Sequence, residues 1–95
     1  MWSVIVRVPR SVDADVAKYR LYVNGILDGE VAQPPSGDAQ YTYHIPADGD
    51  YRLTNLAVDA DGNEGMVSDP MPLHLDHLAP SQQAPLTLVS VTWVP

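Results

Sequence analysis

The sequence predicts an all-β fold, an antiparallel two-sheet sandwich of about seven strands. Three observations carry that expectation. Apolar and polar residues alternate with period two through several short runs. Clusters of Asn, Asp, Gly and Pro separate those runs. Nine prolines, six glycines and 45% hydrophobic residues among 95 suit short strands joined by turns better than a helical bundle.

The first run sets Val4, Val6 and Val8 on one face and Ser3, Ile5 and Arg7 on the other, and Pro9 ends it. Ser11 to Asp15 reads as a polar turn, with one helical twist expected through Ala14 to Ala17. In the next run, Tyr19, Leu21 and Val23 alternate with Lys18, Arg20 and Tyr22. Asn24-Gly25 follows, a strong hairpin signal, because a tight turn needs positive φ at both central residues. Ile26 to Ala32 is the returning strand, although Asp28-Gly29 offers a second turn. Gln33 to Ala39 is a loop. Gln40 to Ile45 places Tyr41, Tyr43 and Ile45 opposite Thr42 and His44, and Pro46 to Asp50 turns. Tyr51 to Asp59 is the longest strand, with Gly62 and Asn63 in the turn after it. Met66 to Leu75 returns as a strand interrupted by Pro70 and Pro72, which places it at an edge or bulge.

Composition narrows the function classes. The chain has the size of one domain, with a core of limited margin. Without cysteine it has no disulfide, thiolate metal site or cysteine nucleophile. Without phenylalanine, the aromatic interior falls to five Tyr and two Trp. Twelve acidic against five basic residues give a net charge of −7. That balance argues against binding nucleic acid or anionic membranes and suits a partner with basic patches. No export leader or membrane span is apparent, so a free-standing domain, the whole gene product, is expected.

Lys18-Tyr19-Arg20-Leu21-Tyr22-Val23-Asn24-Gly25 resembles the third strand of fibronectin type III domains, where a tyrosine starts an alternating run. Asp48-Gly49-Asp50-Tyr51-Arg52-Leu53 resembles that family's turn into its sixth strand. Ala57-Val58-Asp59-Ala60-Asp61-Gly62-Asn63-Glu64-Gly65 is similar to the segment that ends it. The likeness spans Ser3 to Leu75. It implies an immunoglobulin-like sandwich with Tyr51 at the tyrosine corner, its hydroxyl bonded to nearby backbone. Departures accompany it. The tryptophan usual on the family's second strand is missing from the N-terminal run, and the family's first strand has no counterpart before Ser3. In the sixth strand Asn55 falls in the inward series, while Leu56 and Val58 face out. Either a bulge shifts the register or an apolar outer face awaits a partner.

Residues 1–77 thus make the sandwich, 78–85 a Pro-rich linker and 86–95 a C-terminal β-strand or arm. The segment Ala84 to Trp93 reads like the family's opening segment displaced to the far end. It is expected either to complete its own sandwich or to lie on a neighbouring subunit. Leu86, Leu88, Val89, Val91 and Trp93, with the outward Leu56 and Val58, are the candidate partner contacts. Trp2, Tyr22 and Trp93 are candidates for an aromatic binding face if they are not core.

Sites for chemistry are few. Asp59, Asp61, Asn63 and Glu64 offer oxygens to a hard cation, but Gly62 comes too early for a calcium loop and a hairpin turn is the better reading. His74 and His77 stand three apart, which on a strand sends them to opposite faces and makes a poor zinc pair. No serine has a base or elbow near it, and no phosphate loop occurs. Neither enzymatic activity nor a cofactor is expected. By analogy, a cysteine-free sandwich of this kind is expected in a tailed-phage virion, assembled in the host cytoplasm. There it would decorate the capsid or join the tail and bind capsid or tail subunits, or copies of itself through the arm. A carbohydrate-binding or adhesion module is the alternative.

Overall fold

The computed structural model describes residues 1–77 and 82–95. Among these described residues six strands form two antiparallel sheets. They are β1 (Trp2–Val8), β2 (Val16–Val23), β3 (Ile26–Ala32), β4 (Ala39–Ile45), β5 (Gly49–Asp59) and β6 (Met71–Leu75). One sheet pairs β1 with β4; the other runs β3-β2-β5-β6.

Alternation places the core. Val8 is buried, with Val4 and Val6 half-buried in the same row, while Ser3, Ile5 and Arg7 are exposed. Tyr19 and Leu21 of β2, Tyr43 and Ile45 of β4, Leu53 of β5 and Leu75 of β6 join Val8 and Ala39 in a single cluster. Trp2, Tyr41, Tyr51 and Leu73 pack around it.

The turns follow their sequence signals, with two exceptions. Asn24 and Gly25 both have positive φ, 50° and 81°, as the two-residue hairpin requires. Asn24 also fastens β5, its Oδ1 accepting the Arg52 N–H at 2.8 Å and its own N–H reaching the Arg52 carbonyl at 2.8 Å. Asp28-Gly29 makes no turn. Leu21 faces Gly29 and Tyr22 faces Leu27, so Asp28 is the extra residue of a bulge. Gly29 leaves room there for the Tyr41 ring: a Cβ would run into its hydroxyl and force the ring to shift. The expected helical twist after Ser11 is also not formed: Ala14 and Asp15 turn, and Val16 and Ala17 already belong to β2, where pairing with β5 outweighs a lone helical turn.

The strand expected from Met66 is cut to Met71–Leu75. Pro72 lies opposite Arg52, whose N–H and C=O both point the other way, to Asn24. The pair is therefore of the non-hydrogen-bonded kind, and the Pro72 nitrogen faces the free edge, where no donor is demanded.

The expected seventh strand is not formed: residues 82–95 carry no strand, since an extended segment without a neighbour has no ladder to join. Of the expected linker, residues 78–81 lie outside the described residues. The described chain is 81 Å in its longest dimension, well beyond the roughly 36 Å that an eleven-residue strand spans.

The Tyr51 hydroxyl donates to the Ala47 carbonyl at 2.7 Å, tying the start of β5 to the turn before it. Replacing Tyr51 by Phe should lower stability by roughly 0.5–1.5 kcal/mol in urea unfolding without changing the slope. An unchanged midpoint would mean that this bond does not hold the corner.

Candidate functional site

The C-terminal tail presents the largest set of unburied apolar side chains at one place in the sequence. Leu86, Leu88, Val89, Val91 and Trp93 are between 79% and 102% exposed. Two faces would result if the segment were extended, Val89, Val91 and Trp93 on one and Leu86, Leu88, Ser90 and Thr92 on the other. The predicted contact residues of the tail are thus all accessible.

Leu56 and Val58 are not. The expectation of an apolar outer face awaiting a partner is corrected: Leu56 is 5% and Val58 1% exposed. No bulge moves them either, because the register with β2 is continuous from Lys18↔Val58 to Val23↔Leu53. They lie beside Arg20 and Lys18, on the face turned away from the smaller sheet. Long charged side chains meet over that face. Lys18 Nζ reaches Glu30 at 2.8 Å, Arg20 Nε reaches the same carboxylate at 3.0 Å, and Arg20 also pairs with Glu64. Lys18 stands opposite Val58 and Arg20 opposite Leu56 in the register, so long side chains whose stems can lie along apolar surface share the face of the buried pair. Hydrogen bonds from Lys18 and Arg20 lower the Glu30 pKa. Asn55, in the inward series, is half-buried and bonded to Ser68 through its N–H and side chain.

The loop after β5 uses its own oxygens. Asp59 Oδ1 accepts the Asp61 and Asn63 N–H groups at 2.9 and 2.8 Å, and Oδ2 accepts the Asn63 amide at 3.0 Å. The Asn63 backbone bond is the main cause of Asp59's lowered pKa. Gly62 supplies the positive φ of 86° that the turn needs. Among the described residues no group of three or more His, Cys, Asp or Glu is placed to hold a metal ion. His74 and His77 go to separate carboxylates, Asp50 at 2.6 Å and Asp48 at 2.5 Å.

The Asp48–His77 contact belongs to a cluster that the sequence did not signal. Trp2 Nε1–H donates to Asp48 Oδ1 at 2.8 Å, across 46 residues, and His77 N–H donates to Oδ2 at 3.2 Å. The Trp2 and His77 rings meet edge-on with centroids 6.4 Å apart. A shallow depression of about 470 Å³ opens beside them, between Met1 and the Pro46 turn. These donors hold the Asp48 carboxylate down at about 2, the His77 bond contributing most. Trp2 is therefore half-buried and occupied, Tyr22 is half-buried on β2, and Trp93 is exposed, so the proposed aromatic trio is split. Arg10 was also missed. It pins the Pro34–Asp38 loop, its N–H on Asp38 at 2.8 Å and its guanidinium on the Pro34 and Gly37 carbonyls.

Compared with known proteins, the chain matches no family model, no curated protein and no solved structure.

Because the folded pKa of Asp48 is depressed, its contribution is present above the ordinary carboxylate range and fades as pH falls towards about 2. In a Trp93→Phe background, Trp2 fluorescence should shift to the red on acidification from pH 5 to pH 2, and Asp48→Asn should flatten that transition. A transition of equal size in both proteins would refute the Asp48 clasp.

Proposed function

We propose that this chain is a non-enzymatic structural module with a fibronectin type III-like sandwich, and that it fastens onto a multi-subunit protein assembly through residues 86–94. The carrying observation is the row of five exposed apolar side chains from Leu86 to Trp93 beside a folded body. Large apolar side chains left together in water are where proteins meet partners, and a tryptophan among them is the usual energetic anchor.

Two features favour the fibronectin-like reading. The strands likened to the family's third and sixth, β2 and β5, are hydrogen-bonded neighbours inside the larger sheet, with β6 beyond β5. In immunoglobulin-like sandwiches strands C, F and G share a sheet in this way. The Tyr51 hydroxyl bond to Ala47 has the form of the tyrosine corner. On that reading β1 and β4 stand as strands B and E, and among the described residues no strand pairs with the other side of β1. A virion, with the chain on a tailed-phage capsid or tail, is the setting we propose, on the analogy drawn from the sequence. A net charge of −7 fits attachment to a basic patch on such an assembly.

The test uses particles assembled with the full chain, wild type or Trp93→Ala, and counts copies bound by mass spectrometry. Wild type should be present at fixed stoichiometry. Trp93→Ala should weaken attachment roughly 30-fold or more, an anchor loss of about 2 kcal/mol, with the thermal midpoint of the sandwich unchanged. Absence of the wild-type chain from the particles would overturn the virion setting. Equal occupancy of both proteins would overturn the role of the tail, and sugar binding lost in Trp93→Ala would promote the carbohydrate reading.

A further inference from the structure

Four strand edges lie at the margins of the two sheets: both sides of the β1-β4 pair, and the outer sides of β3 and β6. Three are blunted. Pro72, the second residue of the five-residue β6, removes a donor from its edge. The bulge at Asp28 breaks the β3 edge. β3 also comes up against β4, whose Tyr41 hydroxyl bonds Asp28 at 2.5 Å. The β1 edge has none of these protections. It is seven residues long, without proline or glycine, and its register with β4 is unbroken from Trp2↔Ile45 to Val8↔Ala39. Val4 and Val6 remain half-exposed beside it, and Ile5 is 68% exposed. A long regular edge of this kind invites another strand.

We infer that the free edge of β1 receives the tail of a second copy of this chain, with residues 86–94 paired antiparallel to Trp2–Val8. This deepens the interaction-module reading above and rests on it. Both sides of the match are in the sequence. Residues 86–94 are nine residues without proline or glycine, as regular as the edge they would join. Neither they nor Trp2–Val8 carry an acidic side chain, in a protein whose net charge of −7 otherwise makes copies repel. Val89, Val91 and Trp93 form one apolar face that can turn inward beside Val4 and Val6.

Chain direction selects a second copy as the donor. His77 sits against Trp2, so the tail leaves the body at the end where β1 begins. An antiparallel partner of β1 must start at the other end, beside Val8. β1 is about 23 Å long, and the nine steps from His77 to Leu86 reach about 30 Å when fully extended, which leaves little for the reversal and the crossing to the β1 edge. Laid on its own edge from the Trp2 end, the tail would run parallel to β1, in the weaker ladder. A neighbour's tail can enter at Val8 and run the right way. Such a contact joins unlike surfaces, so copies would link head to tail.

The absence of cysteine makes cross-linking a clean test. Ile5→Cys in one full-length protein is mixed with Leu88→Cys, Ser90→Cys or Thr92→Cys in another, under mild oxidation. With Val89, Val91 and Trp93 inward, these tail positions share the outer face with Ile5. At least one pair should give a mixed dimer in high yield, whereas Val89→Cys and Val91→Cys should not. Sedimentation of the wild type should show growth with concentration, and Val91→Asp should abolish it. Cross-links that form only within single chains carrying both cysteines would overturn the inference in favour of self-closure. Concentration-dependent assembly without face-selective cross-links would overturn the edge assignment and leave the interaction-module reading standing. A monomer at every concentration, with no cross-link, would overturn the exchange; the particle-occupancy experiment then decides that reading separately.

Discussion

Tyrosine rings carry the interior of this protein, and each ring buried between the sheets must bring its hydroxyl to a partner. Tyr19 donates to Gln33 and accepts the Ser11 N–H at 2.9 Å. Tyr43 reaches the Tyr22 carbonyl at 3.3 Å, Tyr51 the Ala47 carbonyl at 2.7 Å, and Tyr41 the Asp28 carboxylate at 2.5 Å. A phenol left unpaired in the core costs about 1–3 kcal/mol, so these bonds also decide where the flanking loops sit. The segment after β1, the bulge of β3 and the corner before β5 are each fixed by a hydroxyl emerging from the core. Burial, the larger cause, together with the nearby Asp28 charge, pushes the Tyr41 and Tyr43 phenols up to about 12, which keeps both neutral as donors.

A sheet of two strands is asked to cover a sheet of four. The large rings help it do so, Tyr41 and Tyr43 packing edge to face with centroids 4.9 Å apart. On the opposite surface of the larger sheet, Lys18, Arg20, Glu30 and Glu64 are linked by ion pairs, with Lys18 and Arg20 directly across from Val58 and Leu56. These exposed ion pairs add little stability individually. They stand on the face where Leu56 and Val58 are buried, whereas Ile5 on β1 and the apolar side chains of the tail are exposed.

Periodicity and turn chemistry made most of the strands legible. Asn24-Gly25 marked its hairpin, and the valines, tyrosines and leucines of β1, β2 and β4 declared their inward rows. What failed had physical reasons. Asp28-Gly29 reads as a turn locally, but Gly29 is there to admit Tyr41 from the other sheet, a contact between distant residues. Leu56 and Val58 read as exposed because period two says which face a residue lies on and not what covers that face. The Trp2–Asp48–His77 cluster joins three segments far apart in the chain, a contact that local patterns do not carry. The tail's alternation was readable, but a strand needs a neighbour, and residues 82–95 form none.

Amide hydrogen exchange on the dilute full-length chain tests this arrangement most directly. Amides of β2 and β5, paired on both sides, should exchange slowly. Those of β1 should divide, the alternate N–H groups aimed at β4 being protected and the ones aimed outward exchanging freely. Uniform protection along all of Trp2–Val8 would mean that a strand already occupies that edge, and rapid exchange in β2 and β5 would mean that the tyrosines do not hold the two layers together.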